Sequence, residues 1–180
     1  ENENVEVVEK HFKSSAKGLC KGNKIALNKN LSTAEKVCVF VEELGHNKLT
    51  VGNILNQNKI SNKKQELIAR RWAYEKLICL SELVQAYRDN IQGLHNLAEY
   101  FEVTPEFFQE AIDYYKTKYG LYKEIDTYIL IFEPLGIIDK FVWKEILNNG
   151  LHCFVQVLRT TNIIHTLTKF SLMLMLLKWN

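Results

Sequence analysis

Ser32-Thr33-Ala34-Glu35 constrains this 180-residue chain more than any other segment. It matches the S-x-x-E capping box. The Ser32 hydroxyl accepts from the backbone N–H of residue 35, and the Glu35 carboxylate reaches back to the N–H of residue 32. A helix therefore starts here. Val37, Phe40, Val41 and Leu44 then recur at helical spacing and form its core stripe. The helix is expected to run to Gly45 or Asn47. Upstream, Val5, Val7 and Val8 open a β-rich run. Residues 18–27 read as a hairpin turning at Gly22-Asn23, two residue types that tolerate positive φ. Together these segments predict a small sheet of three strands.

Composition narrows the class. Hydrophobic residues make up 47% and charged residues 24%, which excludes a disordered tail or a collagen-like repeat. With 2 Pro and 8 Gly, helices joined by short loops are favoured over a many-stranded sandwich. The chain reads as α+β with helices dominant. A long helix spans 63–80, with Leu67, Ala69, Arg70, Trp72, Ala73 and Leu77 marking its faces. Ser81 caps another helix through Tyr87. Residues 94–101 and 105–119 form a helix pair, and 127–132 a strand that Pro134-Leu135-Gly136 turns. Residues 140–158 and 163–177 read as helical. The organisation expected is a first domain over 1–92, a helical segment with a strand over 93–140, and a tail over 141–180 with no assigned role.

Cys20, Cys38, Cys79 and Cys153 form no C-x-x-C pair, so a zinc knuckle or thioredoxin-type motif is excluded. Buried thiols in a reducing cytoplasm are expected, with Cys38 and Cys79 in apolar helical settings. The polar start, ENENVEVVEK, does not read as a signal peptide. The chain begins without Met, which points to trimming and leaves room for an upstream element. The apolar run at 163–177 is shorter than the ~20 residues of a membrane span and carries His165 and Lys169, so a buried or partner-docking helix is expected there.

The chemistry concentrates in Glu42-Glu43-Leu44-Gly45-His46, on the capped helix. Residues 42 and 46 stand at i and i+4 and share one helical face. Two ligand side chains so placed converge on one metal ion. In H-E-x-x-H, two His bind zinc and the Glu between them serves as general base. Here Glu42 stands in the first His position, and a carboxylate is a legitimate zinc ligand. Taken alone, the five residues also fit an exposed acidic helix face. Glu66, on the next long helix, adds a third donor if the two helices pack antiparallel.

The order and spacing of EELGH and Glu66-x-x-Ala69-Arg70-x-Trp72-Ala73 resemble the ImmA/IrrE metallo-endopeptidases. Most of these carry H-E-[LIF]-[GA]-H on one helix and E-x-x-A-[NRD]-x-[FW]-A on the next. The linking segments IALNKNLSTAEKVCVFVEELGH, TVGNIL and ISNKKQELIARRWAYEKLI are similar to phage-associated members from Firmicutes. The resemblance covers roughly residues 5–140. It implies a zincin-like domain with a small three-stranded sheet, followed by a helical segment. It also implies cytoplasmic cleavage of a regulator, typically a helix-turn-helix repressor of a mobile element. Carried over by position, Glu43 is the general base. Glu42, His46 and Glu66 are the ligands of Zn²⁺, with Mn²⁺ favoured somewhat by the added carboxylate. Two carboxylates and one His neutralise a divalent ion, so the site is expected to be less positive than a His₂Glu site and to polarise water less. Without metal, Glu42, Glu43 and Glu66 crowd like charges unless one protonates or the three point apart.

Other readings are open. Glu42 in place of His also fits a catalytically silent member that acts as a protein-binding antirepressor. His11, His95, His152 and His165 read as surface or core residues rather than substitute ligands. Residues 94–112 look like a helix-turn-helix, with Ala98 admitting the second helix and Val103 plugging the turn. Its second helix, PEFFQEAIDYYKTKY, presents Glu106, Glu110 and Asp113, which repel phosphates. Net charge is only +2. No direct nucleic-acid or membrane partner is therefore expected, and a DNA-binding regulator ranks third. Lys59, Lys63, Lys64, Arg70, Arg71 and Lys76 flank the proposed cleft. They read as a solvated face, or as a docking surface for an acidic substrate segment with Arg70 and Arg71 foremost.

Overall fold

The computed structural model describes residues 5–49, 60–142 and 144, and of residues 60–62 the backbone only. In chain order the elements are β1 (Glu6–Lys10), β2 (Gly18–Lys21), β3 (Lys24–Asn28), α1 (Thr33–Leu49), α2 (Ile60–Leu77), α3 (Leu80–Arg88), α4 (Leu94–Tyr100), α5 (Pro105–Tyr119), β4 (Tyr122–Ile125), β5 (Tyr128–Phe132) and β6 (Leu135–Asp139). This is the mixed α+β class expected. The chain divides into two compact units, Glu1–Tyr114 and Tyr115–Asn180.

The first unit begins with the expected three strands, ordered β1-β3-β2. β1 runs parallel to β3 and β2 antiparallel to it. Of the two turn residues only Gly22 takes left-handed backbone, at φ 57°. Alternate positions of β3, Ile25 and Leu27, are buried and pack with Val39 of α1, flanked by Phe40 and Leu44.

The capping box forms at the head of α1. The Ser32 N–H donates to Glu35 Oε2 at 3.0 Å, and the Glu35 N–H donates to Ser32 Oγ at 3.3 Å. Two otherwise unpartnered helix-end groups are thereby satisfied. α1 continues to Leu49, past the expected end, because Gly45 lies inside the helix against α2 rather than terminating it. Its buried residues are Cys38, Val39 and Gly45, while Val37, Phe40, Val41 and Leu44 are half-buried. The helix is covered by the sheet on one side and by α2 on another, so no single stripe carries its burial.

The α1–α2 contact is close. A Cβ on Gly45 would stand 2.9 Å from the Ala69 carbonyl oxygen and 3.2 Å from its Cα. Ala69 and Ala73 are fully buried, whereas Leu67 is exposed. Small residues thus set the approach. α3 starts from Cys79, which makes no side-chain cap bond. Ser81, expected to cap, lies inside the first turn with its Oγ 3.0 Å from Cys79 Sγ. Cys79 is exposed, against expectation, whereas Cys38 is buried and its thiol is pushed up to about 11 by that burial. The α4–α5 pair forms as expected, with Ala98 and Val103 buried. Thr104 caps α5 by accepting from the Phe107 N–H at 3.2 Å, with Pro105 at the first helical position.

The second unit holds an antiparallel sheet ordered β4-β5-β6. Only β5 was legible in the sequence. As the central strand it buries Ile129, Leu130, Ile131 and Phe132 in one run. β6 starts at Leu135, where the sequence suggested only a turn. Of the helix expected over 140–158, residues 140–142 and 144 are helical. Its remainder and the helix expected over 163–177 lie outside the described residues. No helix among the described residues is long and apolar enough to cross a membrane.

The Gly45 contact has a testable consequence. On helix propensity alone, Gly45→Ala would stabilise by ~1 kcal/mol. The Ala69 backbone leaves no room for the methyl group, so a net loss of ~1–3 kcal/mol is expected. Urea denaturation of the variant checks the sign.

Candidate active site

The antiparallel packing of α1 on α2 decides the site. Gly45 meets Ala69, and the residues on either side pair in opposite order along the two helices. His46 and Glu42, one turn apart on α1, therefore face Glu66 and Arg70, one turn apart on α2. His46 Nε2 stands 3.1 Å from Glu66 Oε2. Arg70 Nε donates to Glu42 Oε1 at 3.3 Å. The same guanidinium donates through a terminal nitrogen to Glu110 Oε2 of α5 at 3.0 Å, and the Tyr74 hydroxyl donates to that oxygen at 2.8 Å.

Glu43 points to the sheet. A Cβ on Gly18 would lie 2.9 Å from Glu43 Cγ and Oε1, so β2 runs directly over this carboxylate. The Glu43 carboxylate also takes a hydrogen bond from the Cys20 backbone N–H. Glycine at position 18 is what lets the edge strand come so near.

The electrostatics follow from these partners. Burial pushes the Glu43 carboxyl above its ordinary value, with His46 opposing the shift. Burial likewise raises Glu42, and Arg70 counteracts it. The hydrogen bond to Glu66 raises His46, and the same bond lowers Glu66. The crowding of like charges is thus eased by Arg70 at Glu42 and by His46 at both Glu43 and Glu66, with a smaller contribution from the Cys20 backbone at Glu43.

The donor chemistry bears on a divalent metal. Two ligands of one tetrahedral zinc, at about 2.0–2.2 Å each, stand roughly 3.3–3.6 Å apart. The 3.1 Å between His46 Nε2 and Glu66 Oε2 is close to that spacing. Glu42 shares their neighbourhood but is turned to Arg70. Among the described residues no group of three or more His, Cys, Asp and Glu side chains is gathered as a metal site. His46 and Glu66 fit such an ion once the proton between them leaves Nε2, and Glu42 fits once it leaves the guanidinium.

The remaining candidates lie elsewhere. His11 and His95 are exposed, and His152 and His165 are outside the described residues. Arg70 is engaged by Glu42 and Glu110, and the Arg71 guanidinium sits 5.7 Å over the Tyr114 ring. Lys63, Lys64 and Lys76 are exposed, with Lys76 Nζ 5.6 Å from the Trp72 ring, and Lys59 is outside the described residues. Sequence reasoning missed the pairing of Arg70 with Glu42. The signal was present: two i, i+4 pairs on antiparallel helices align 42 with 70 once 46 is aligned with 66. Glu110 and Tyr74 gave no comparable signal.

The His46–Glu66 pair fixes a pH dependence for the metal-free protein. The raised His46 contributes stability that is complete below its unfolded value, ~6.5, and is lost as pH rises through the folded one. The lowered Glu66 contributes stability present above its unfolded value, ~4.3, and lost as pH falls through the folded one. Raised Glu42 and Glu43 also favour the acidic side. Thermal melts in chelator should therefore show stability falling between about pH 6 and 8. Glu66→Gln should flatten that decline.

The family model described as the IrrE N-terminal-like domain (Peptidase_M78) matches residues 1–113. No curated protein and no solved structure matches the chain. The matched span ends beside the boundary of the first compact unit and contains Glu42, Glu43, His46, Glu66, Arg70 and Glu110. Covering more than half of the chain, and with both helical motifs inside it, the match shows that this protein belongs to the ImmA/IrrE family, whose domain is that of a metallopeptidase.

Proposed function

We propose that the chain is a metal-dependent endopeptidase acting on a protein substrate. The observation that carries this reading is the approach of His46 Nε2 and Glu66 Oε2 from two helices to 3.1 Å. His46 and Glu66, with Glu42 as third donor, would hold the ion, Zn²⁺ or Mn²⁺. When bound, such an ion polarises a peptide carbonyl as a Lewis acid. Glu43, next to this pair on α1, is the general base. Its burial raises its affinity for a proton toward the range useful near neutral pH. Its carboxylate would take a proton from the attacking water and pass it to the leaving amine. Gly18 and the Cys20 N–H hold that carboxylate in place from the sheet side. The substrate class implied by the family is a cytoplasmic helix-turn-helix repressor of a mobile element.

The engagement of Glu42 by Arg70 favours a second reading: a silent member that binds its target without cutting it. A DNA-binding role for residues 94–119 draws no support from α5, whose exposed residues include Glu106, Glu110 and Asp113.

Elemental analysis of untagged protein purified without chelator should find one divalent ion per chain, lost in Glu66→Ala. Absence of any bound ion would sink the peptidase reading. Glu43→Gln should keep the ion and lower cleavage by ~10²–10⁴. Glu42→His separates the two readings. A large gain in cleavage identifies a natural chain that had lost activity, and an unchanged rate identifies Glu42 as a working ligand.

A further inference from the structure

We infer that Arg70 gates the metal site: its guanidinium and a divalent cation compete for the carboxylate of Glu42. The inference rests on the metal-site reading above and gives Arg70 a part in the binding of the ion.

Three features of the geometry carry it. First, Arg70 stands one turn beyond Glu66 on α2, so it faces Glu42 whenever Glu66 faces His46. The helix register places the two residues opposite one another. Second, Arg70 is held at both ends. Its Nε meets Glu42 at 3.3 Å and a terminal nitrogen meets Glu110 at 3.0 Å, while Tyr74 fixes the same Glu110 oxygen at 2.8 Å. The guanidinium thus keeps a resting place on Glu110 when Glu42 leaves. Third, an arginine does not deprotonate in proteins, so this competitor cannot be removed by pH. It can only be displaced.

A His at position 42 would offer the guanidinium no charge to hold. The carboxylate there offers one group to two cations. Because binding coupling is reciprocal, whatever Arg70 gains from Glu42 is subtracted from the affinity of the ion, and the ion loosens Arg70 by the same factor. Couplings of this kind typically span about 5–150-fold. Glu110 and Tyr74 become positioning residues for the gate.

The test is a Zn²⁺ titration against a chromophoric chelator, on the metal-free wild type and on Arg70→Met, at fixed pH and ionic strength. Melting temperatures with and without Zn²⁺ give a second readout that does not depend on cleavage. Arg70→Met should bind Zn²⁺ about tenfold tighter or more and gain a larger Zn²⁺-dependent rise in melting temperature. In a Glu42→Ala background the same substitution should bring no such gain. Arg70→Gln serves if Arg70→Met does not fold, with the same order expected. Binding in the variant alone also supports the gate. Equal or weaker affinity in the Arg70 variants, with the wild type binding, overturns the gate and leaves the metal site standing. Binding by neither protein overturns the metal site and the gate with it.

Discussion

The backbone approach of α1 to α2 at Gly45 and Ala69 governs everything else in the first unit. With a larger residue at either position the two helices would separate, and His46 would lose its reach to Glu66. The 3.1 Å contact between those side chains therefore depends on the absence of a side chain one residue before the histidine. The same logic recurs at the sheet. Gly18 lets β2 lie over Glu43, so that a backbone N–H rather than solvent meets the carboxylate. Two glycines, one on each side of α1, set the distances of the acidic cluster.

Burial makes that cluster costly. Glu42 and Glu43 both prefer their protons more than an exposed carboxyl would, because the desolvation of the charged form is only partly offset by neighbours. Distributing three carboxylates among a guanidinium, a backbone amide and an imidazole avoids concentrating negative charge in one place. It also gives the three groups different chemical characters. Glu66 is the most readily ionised and is hydrogen-bonded to an imidazole. Glu43 is hydrogen-bonded yet raised.

What the sequence disclosed followed the range of the interactions involved. The capping box, the Gly22 turn and the Thr104–Pro105 start of α5 are local, and each could be read from a few adjacent residues. The pairing of His46 with Glu66 was accessible because motif spacing and antiparallel packing together define a register. Cys79 is exposed where burial is expected, because exposure depends on which tertiary face is covered, and an apolar sequence context does not reveal that. Hydroxyl chemistry favours Ser81 as a cap, but the extended residue that opens the helix is Cys79, with φ −69° and ψ 129°. β4, largely exposed and polar, lacks the apolar signal that exposed β5 to view. Glu110 joined the site from α5 across a long stretch of chain, beyond any local pattern.

The exchange of histidine for glutamate at position 42 looks different once Arg70 is included. Counted by its ligands alone, a divalent ion with two carboxylates and one imidazole is neutral, whereas the His₂Glu set leaves one positive charge. The guanidinium beside Glu42 brings one positive charge to the immediate surroundings, and Glu110, which holds the same guanidinium, brings a negative one. The weaker polarisation expected from the ligand count therefore stands. What changes is the freedom of the charge. A neutral imidazole offers its lone pair to an ion without competition, but a carboxylate paired to an arginine offers it only against that pair. Glutamate at position 42 thus makes the proposed third donor conditional on the release of Arg70.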